Sequence, residues 1–175
     1  IPLYGLKYPE IKVWGQGYIG MIPVPIILTV IIFGISAYLF YKTKFGRYTV
    51  SIGSNEEAAK LVGINVDKIK ILVFVLSGVF CAIAGIILAS RSEAAIPTAG
   101  NAYEMDAIAA TVIGGTSMSG GKGNMFGTAL GAILMATIKN GLSLLNVNTF
   151  WHQVVIGLFI LFAVALDGFA AKKVN

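Results

Sequence analysis

Three stretches of this chain, residues 21–41, 71–90 and 150–166, carry no Asp, Glu, Lys or Arg. A helix needs about 20 apolar residues to cross the hydrocarbon core of a bilayer, so each run is long enough or nearly so. The first opens with Pro23 and Pro25, which a helix tolerates at its start and not in its middle. Between the last two lie shorter apolar segments, 107–115 and 125–138, the second interrupted at Lys139. Both are expected to be membrane-embedded, the first as a broken, half-length span. The fold class expected is therefore all-α: a polytopic transmembrane helical bundle with about five membrane-embedded segments, one of them short or broken.

Composition agrees with this reading. The 175 residues are 57% hydrophobic and 12% charged, where soluble domains carry about 25% charged residues. The net charge of +5 does not form a stripe that could track a phosphate backbone. Basic residues sit between apolar runs, which argues against a nucleic-acid partner and for membrane lipid. Cys81 lies alone inside an apolar run and reads as a small buried hydrophobe. The chain begins at Ile1 without a basic region and signal core, and reads as a piece of a longer polypeptide. Residues 1–20 are expected to be an external loop, and 21–175 a partial transmembrane domain that includes a cytoplasmic loop, 42–70.

The basic residues also give an orientation, because cytoplasmic loops are enriched in Lys and Arg. Lys42, Lys44, Arg47, Lys60, Lys68 and Lys70 make up six of the thirteen basic residues, which places loop 42–70 inside. The next loop, with Arg91 against Glu93, Glu104 and Asp106, is then outside. Five crossings put the Gly-rich loop with Lys122 inside, the turn at Asn146 outside, and the tail with Lys172 and Lys173 inside. Trp151 and His152 then lie at the outer interface. Small residues four apart, which let membrane helices approach closely, occur as Gly78 with Ala82, Gly85 with Ala89, Gly127 with Gly131 and Ala132 with Ala136.

Loop 42–70 contains a short helix with both ends written in. Ser54 and Glu57 have the spacing of a capping box, Glu56 and Glu57 suit the positive end of the helix dipole, and Gly63 can close the helix in the left-handed conformation. A helix over 55–62 is too short to stand alone in water. Its Ala58, Ala59, Leu61 and Val62 offer a small apolar face suited to docking a soluble partner.

This segment, with Gly-Ile-Asn-Val after it, resembles the ribose-type permeases of ABC importers. So do Tyr103-Glu104-Met105-Asp106-Ala107-Ile108-Ala109-Ala110 and the run Gly114-Gly115-Thr116-Ser117-Met118-Ser119-Gly120-Gly121-Lys122-Gly123. The three motifs occur in order, and the resemblance covers residues 24–167. It implies a carboxyl-terminal permease half and a cytoplasmic coupling helix made of Asn55, Glu56, Glu57, Ala58, Ala59, Leu61, Val62 and Gly63. The implied partners are an ATP-binding cassette subunit, a periplasmic sugar-binding protein and a second permease copy. It implies no cofactor on this chain, ATP being bound by the partner subunit, and a location in the bacterial inner membrane.

A lone charge at the centre of a lipid-facing helix costs about 2.5–3.5 kcal/mol, so Glu104 and Asp106 belong at the outer mouth or in a watery cavity. Broken, Gly-rich helices are tolerated at membrane depth where they line such a cavity. This nominates Glu104, Asp106, Thr111, Gly114, Gly115 and Thr116 for the translocation pathway, with helix capping by Asp106 as the alternative. Two other matches are discounted. Gly15-Gln16-Gly17-Tyr18-Ile19-Gly20 fits a dinucleotide fingerprint but lacks a strand-turn-helix setting and reads as a loop, and Gly120-Gly121-Lys122-Gly123 lacks the Ser or Thr of a P-loop. The function expected is transport without bond-making chemistry, hence not an enzyme. The rivals are an ATP-independent membrane-embedded binding or enzyme subunit, or a fragment inactive without its amino-terminal half. Paired titratable groups at membrane depth, which an enzyme would need, do not occur within 71–90 or 125–138.

Overall fold

The computed structural model describes residues 3–4 and 9–172. In chain order its elements are β1 (Leu3–Tyr4), α1 (Pro9–Gln16), β2 (Tyr18–Ile19), β3 (Ile22–Pro23), α2 (Val24–Lys42), α3 (Lys44–Ser54), α4 (Glu56–Leu61), α5 (Val66–Ser92), β4 (Ala94–Ala95), α6 (Tyr103–Ile113), α7 (Met125–Leu144) and α8 (Thr149–Lys172). The all-α expectation holds, with two minimal antiparallel strand pairs, β1 with β4 and β2 with β3, added to it. They fall into two compact units, Ile1–Thr49 with Gly63–Asn101 and Val50–Val62 with Ala102–Asn175.

In the first unit the expected runs become α2 and α5. Pro23 stands just before α2 with extended backbone, and Pro25 falls in its first turn, where the missing N–H costs nothing. The 27 residues of α5 make a rod about 40 Å long. Its start is capped by Asn65, whose side chain accepts the Lys68 N–H at 3.0 Å. Helices α2, α5 and α7 are long and apolar enough to cross a membrane, and none of the apolar window of α2 or α5 is buried within the chain. Such surfaces need lipid or another protein to cover them. Cys81 is exposed on α5, contrary to the buried reading, because no helix among the described residues covers it.

Residues 1–20 are not simply a loop. Helix α1 lies against the end of α5, close enough that a Cβ on Gly15 would sit 2.5 Å from the Arg91 backbone nitrogen. Gln16 Nε2 donates to the Arg91 carbonyl at 3.3 Å, and Lys12 Nζ pairs with Glu93 at 3.0 Å. The discounted dinucleotide match thus spans a helix end and a hairpin, with Gly20 at φ +65° in the turn. Hydrogen bonds from Lys12 and then Gln16, together with the Lys12 charge, hold the Glu93 carboxyl below its ordinary 4.5. A lowered carboxyl contributes stability above its ordinary value and loses it as pH falls through the folded value. The α1–α5 contact should therefore loosen only below pH 4.5. Amide exchange of residues 12–16 should rise there, modestly because the pair is exposed, and Lys12→Met should flatten the profile.

Loop 42–70 was expected to carry one short helix, but it folds as α3, α4 and the first turn of α5. Helix α3 follows α2 after the single residue Thr43, whose hydroxyl donates to the Leu39 carbonyl at 2.6 Å. The tight junction needs Gly46, where a Cβ would lie 1.9 Å from the Phe40 carbonyl oxygen. The sequence reading missed α3 because its apolar content is that of a surface helix, not of a span.

The second unit is built on α6, α7 and α8. Its core is Ala109, Ala110, Met135 and Ile156, with Ile113, Ile138 and Ile160 packed against it. At 11 residues, α6 extends about 16 Å, the half-length span expected. Helix α7 does not stop at Lys139 but runs through it to Leu144. Of the small-residue pairs, Gly127 and Gly131 are used: a Cβ there would meet the Gly114 carbonyl at 1.9 Å and the Ala110 carbonyl at 2.1 Å. Around Gly78 and Gly85 nothing lies within 4 Å. The tail expected inside ends α8 at Lys172, and Lys173 lies outside the described residues.

Candidate functional site

Helix α4 has six residues, Glu56–Leu61, shorter by one at each end than the helix expected over 55–62. The cap is Asn55, not Ser54: Asn55 Oδ1 accepts the Ala58 N–H at 2.9 Å. Ser54 is already the last residue of α3, which leaves Asn55 to take the extended conformation a cap requires. Glu56 and Lys60 pair at 2.9 Å one turn apart, beside Glu57 in the first turn. The Val62 N–H returns to the Ala58 carbonyl at 3.2 Å, and Gly63 closes the helix at φ +82°.

The apolar residues of α4 divide between two faces. Ala59 turns inward and is 4% exposed, while Leu61 and Val62 are 88% and 77% exposed. An outward apolar face is thus formed by Leu61 and Val62 with exposed Ala58, and Ala59 belongs to the packing beneath it. Just before α4, the end of α3 rests on the Gly-rich turn between α6 and α7. A Cβ on Gly120 would stand 2.2 Å from the Gly53 carbonyl oxygen, and Gly120 has φ +85°. Only glycine satisfies both conditions.

That turn contains three of the six nominated pathway residues, Gly114, Gly115 and Thr116, with Thr111 in the last turn of α6 before it. Gly114 caps α6, Gly115 takes φ +85°, and the Thr116 N–H donates to the Thr111 carbonyl at 3.0 Å. The Thr116 hydroxyl accepts the Asn124 N–H at 3.4 Å, and the Thr111 hydroxyl donates to the Ile108 carbonyl at 2.8 Å. The glycine run follows a helix rather than a strand, so the P-loop setting is absent. These residues lie at the opposite end of α6 from Asp106. Glu104 is separated from Asp106 as well, since it lines a cavity of about 350 Å³ with Met105 of α6 and Gln153, Ile156 and Gly157 of α8.

Asp106 itself lines a cavity of about 340 Å³ between α6 and α7. Tyr103, Asp106, Ala107 and Ala110 come from α6, and Ala132, Met135, Ala136 and Lys139 from α7. Both sets follow the three- and four-residue spacing that lines one helix face. Lys139 Nζ donates to Asp106 Oδ2 and lies 5.5 Å from the centre of the Tyr103 ring, a cation–π distance. Asp106 Oδ1 is buried with no hydrogen-bond partner among the described residues. The pair explains why α7 continues through Lys139: the charge that interrupts the apolar run is matched from the neighbouring helix. Sequence reasoning missed Lys139 and Tyr103, although a lone lysine in a membrane segment is a signal that a carboxylate stands nearby. His152, expected at the interface, has Nε2 buried and without a partner among the described residues.

Residues 6–164 match the family described as the branched-chain amino acid transport system / permease component. The chain belongs to this family. Among curated relatives of this permease, the ribose import permease protein of Bacillus subtilis is 50% identical over 156 residues, 89% of this chain and 48% of that protein. The ribose import permease protein of Haemophilus influenzae is 46% identical over 91% of this chain and 49% of its own length. The xylose transport system permease protein of the same organism is 47% identical over 87% of this chain and 40% of its own. This permease therefore spans about half the length of the curated relatives it matches. No solved structure matches it. With its family and its long apolar helices, it is a multi-pass protein of the bacterial inner membrane.

Proposed function

We propose that this chain forms part of the membrane-spanning permease subunit of an ATP-driven importer for a simple sugar. The observation that carries the reading is α4, a six-residue capped helix whose Leu61 and Val62 are left 88% and 77% exposed. So short a helix draws its stability from what it touches, and an outward apolar pair suits a cleft on a soluble ATP-binding subunit. Relatives named for ribose and xylose, at 50% and 47% identity, favour a sugar over an amino acid. The partners are that ATP-binding subunit, a periplasmic sugar-binding protein and a second permease copy, and this chain supplies no catalytic group or cofactor.

In this reading α4 and the turn at Gly120 face the cytoplasm, and Asp106 with Lys139 lies toward the outer mouth. A cysteine placed at Ser119 should be labelled only from the cytoplasmic side and one at Asn148 only from outside. Labelling at Ser119 from outside would make α6 a re-entrant segment. The activity itself is tested with the full-length permease, reconstituted with its ATP-binding subunit and sugar-binding protein. ATP hydrolysis should be stimulated by a pentose or hexose, and stimulation by amino acids alone would overturn the sugar assignment.

A further inference from the structure

From the cavity between α6 and α7 we infer that Asp106, Lys139 and Tyr103 form a binding subsite for one neutral polyhydroxy ligand, a monosaccharide. The inference rests on the transport reading and adds to it the recognising groups and the charge class of the ligand.

The cavity, at about 340 Å³, is near the lower end of small-molecule sites, which run from about 300 to 1,000 Å³. It suits a single sugar ring. Its polar groups are unusual for so apolar a lining, because a carboxylate and an ammonium stand side by side while one carboxylate oxygen has no partner among the described residues. Asp106 Oδ2 accepts a hydrogen bond from Lys139 Nζ, and Asp106 Oδ1 is buried without a partner among the described residues. A buried acceptor left unmatched costs about 1–3 kcal/mol, so the arrangement is incomplete as it stands. An ammonium has three donors, and Asp106 uses one. The pair thus lines the cavity with the further donors of the ammonium, while Asp106 Oδ1, closed off at rest, meets a ligand only when the carboxylate turns; together they make the pattern that vicinal hydroxyls satisfy. Tyr103 adds an aromatic ring, whose face suits the C–H side of a sugar.

Charge selects the class. Asp106 and Lys139 cancel each other, so a charged ligand would have to break the pair or leave its own charge unmatched in a poorly hydrated site. A neutral polyol exchanges hydroxyl–water bonds for bonds to both groups without separating them. The α7 side beside Lys139 is lined by Ala132 and Ala136, small enough to leave room for the ring.

The test uses the full-length permease assembled with its ATP-binding subunit and sugar-binding protein, with uptake of labelled ribose and xylose as readout. Loss of a hydrogen bond to a charged group should lower uptake about tenfold in Asp106→Asn and in Lys139→Met. The specificity should also move: glucosamine, a cation, should compete with ribose better in Lys139→Met than in the unaltered protein, because a lone carboxylate remains. Ala132→Phe, which fills the cavity and touches neither charge, should lower uptake comparably. Unaltered uptake in Ala132→Phe, or full recovery on exchanging the charges in Asp106→Lys with Lys139→Asp, would show the pair to be packing only and overturn the proposal. Retention of the ATP-binding subunit reports separately on the transport reading. Its absence from the unaltered complex would count against that reading whatever the sugar data show.

Discussion

In Leu61→Arg the full-length permease should insert, remain stable in detergent, and lose its ATP-binding subunit on co-purification. Leu61 is 88% exposed at the end of α4, so the substitution removes no contact within the chain. A guanidinium in a close apolar contact cannot be accommodated: overpacking alone costs about 1–3 kcal/mol, and burying an unpaired charge costs more. Together these exceed the roughly 1.4 kcal/mol that corresponds to a tenfold loss of affinity. Val62→Arg should behave in the same way. Ala59→Arg is a poorer probe, because Ala59 is 4% exposed and an arginine there would disturb the permease itself. Normal retention of the ATP-binding subunit by Leu61→Arg would remove α4 from the contact surface.

The second large effect is expected at the crossing of α6 and α7. Gly131→Val should strongly lower thermal stability in detergent, since even the first added carbon would stand 2.1 Å from the Ala110 carbonyl oxygen. The obstacle is backbone, which cannot turn aside as a side chain can, so the helices must separate. Separation would open the core of Ala109, Ala110 and Met135 and pull Lys139 from Asp106, leaving two unmatched charges at membrane depth. The pair is part-buried, so its loss adds less than the roughly 3–5 kcal/mol of a fully buried pair. Gly34→Ala on α2 is the control, because a Cβ there meets no other part of the described residues within 4 Å. Equal melting of Gly131→Val and the unaltered protein would show that α6 and α7 do not cross there.

The short capped helix at 56–61 was legible because its signals are local. A capping residue, two acids in the first turn and a closing glycine act over three or four residues, and the chain writes them consecutively. The one error, Ser54 for Asn55, came from α3: a residue already inside one helix cannot take the extended backbone that caps the next. The face was less legible than the helix. Ala59 and Leu61 are both apolar, and composition does not say which of them turns inward.

What the sequence by itself determined is the class of protein and the elements that cross the membrane. Long uncharged runs leave a chain no other way to satisfy its backbone in lipid, and this requirement acts within each segment. What only the tertiary structure decided is which polar groups meet. Asp106 and Lys139 stand 33 positions apart, and no local rule joins them. Their pairing follows from α6 lying on α7 at Gly114, Gly127 and Gly131, where missing side chains let two backbones touch. Glu104 and Asp106, two positions apart in α6, are parted by the helix period itself, and packing only decided which cavity each lines. Membership of a site depends on distance in space, and in a helical membrane protein that distance is set by the helix crossing.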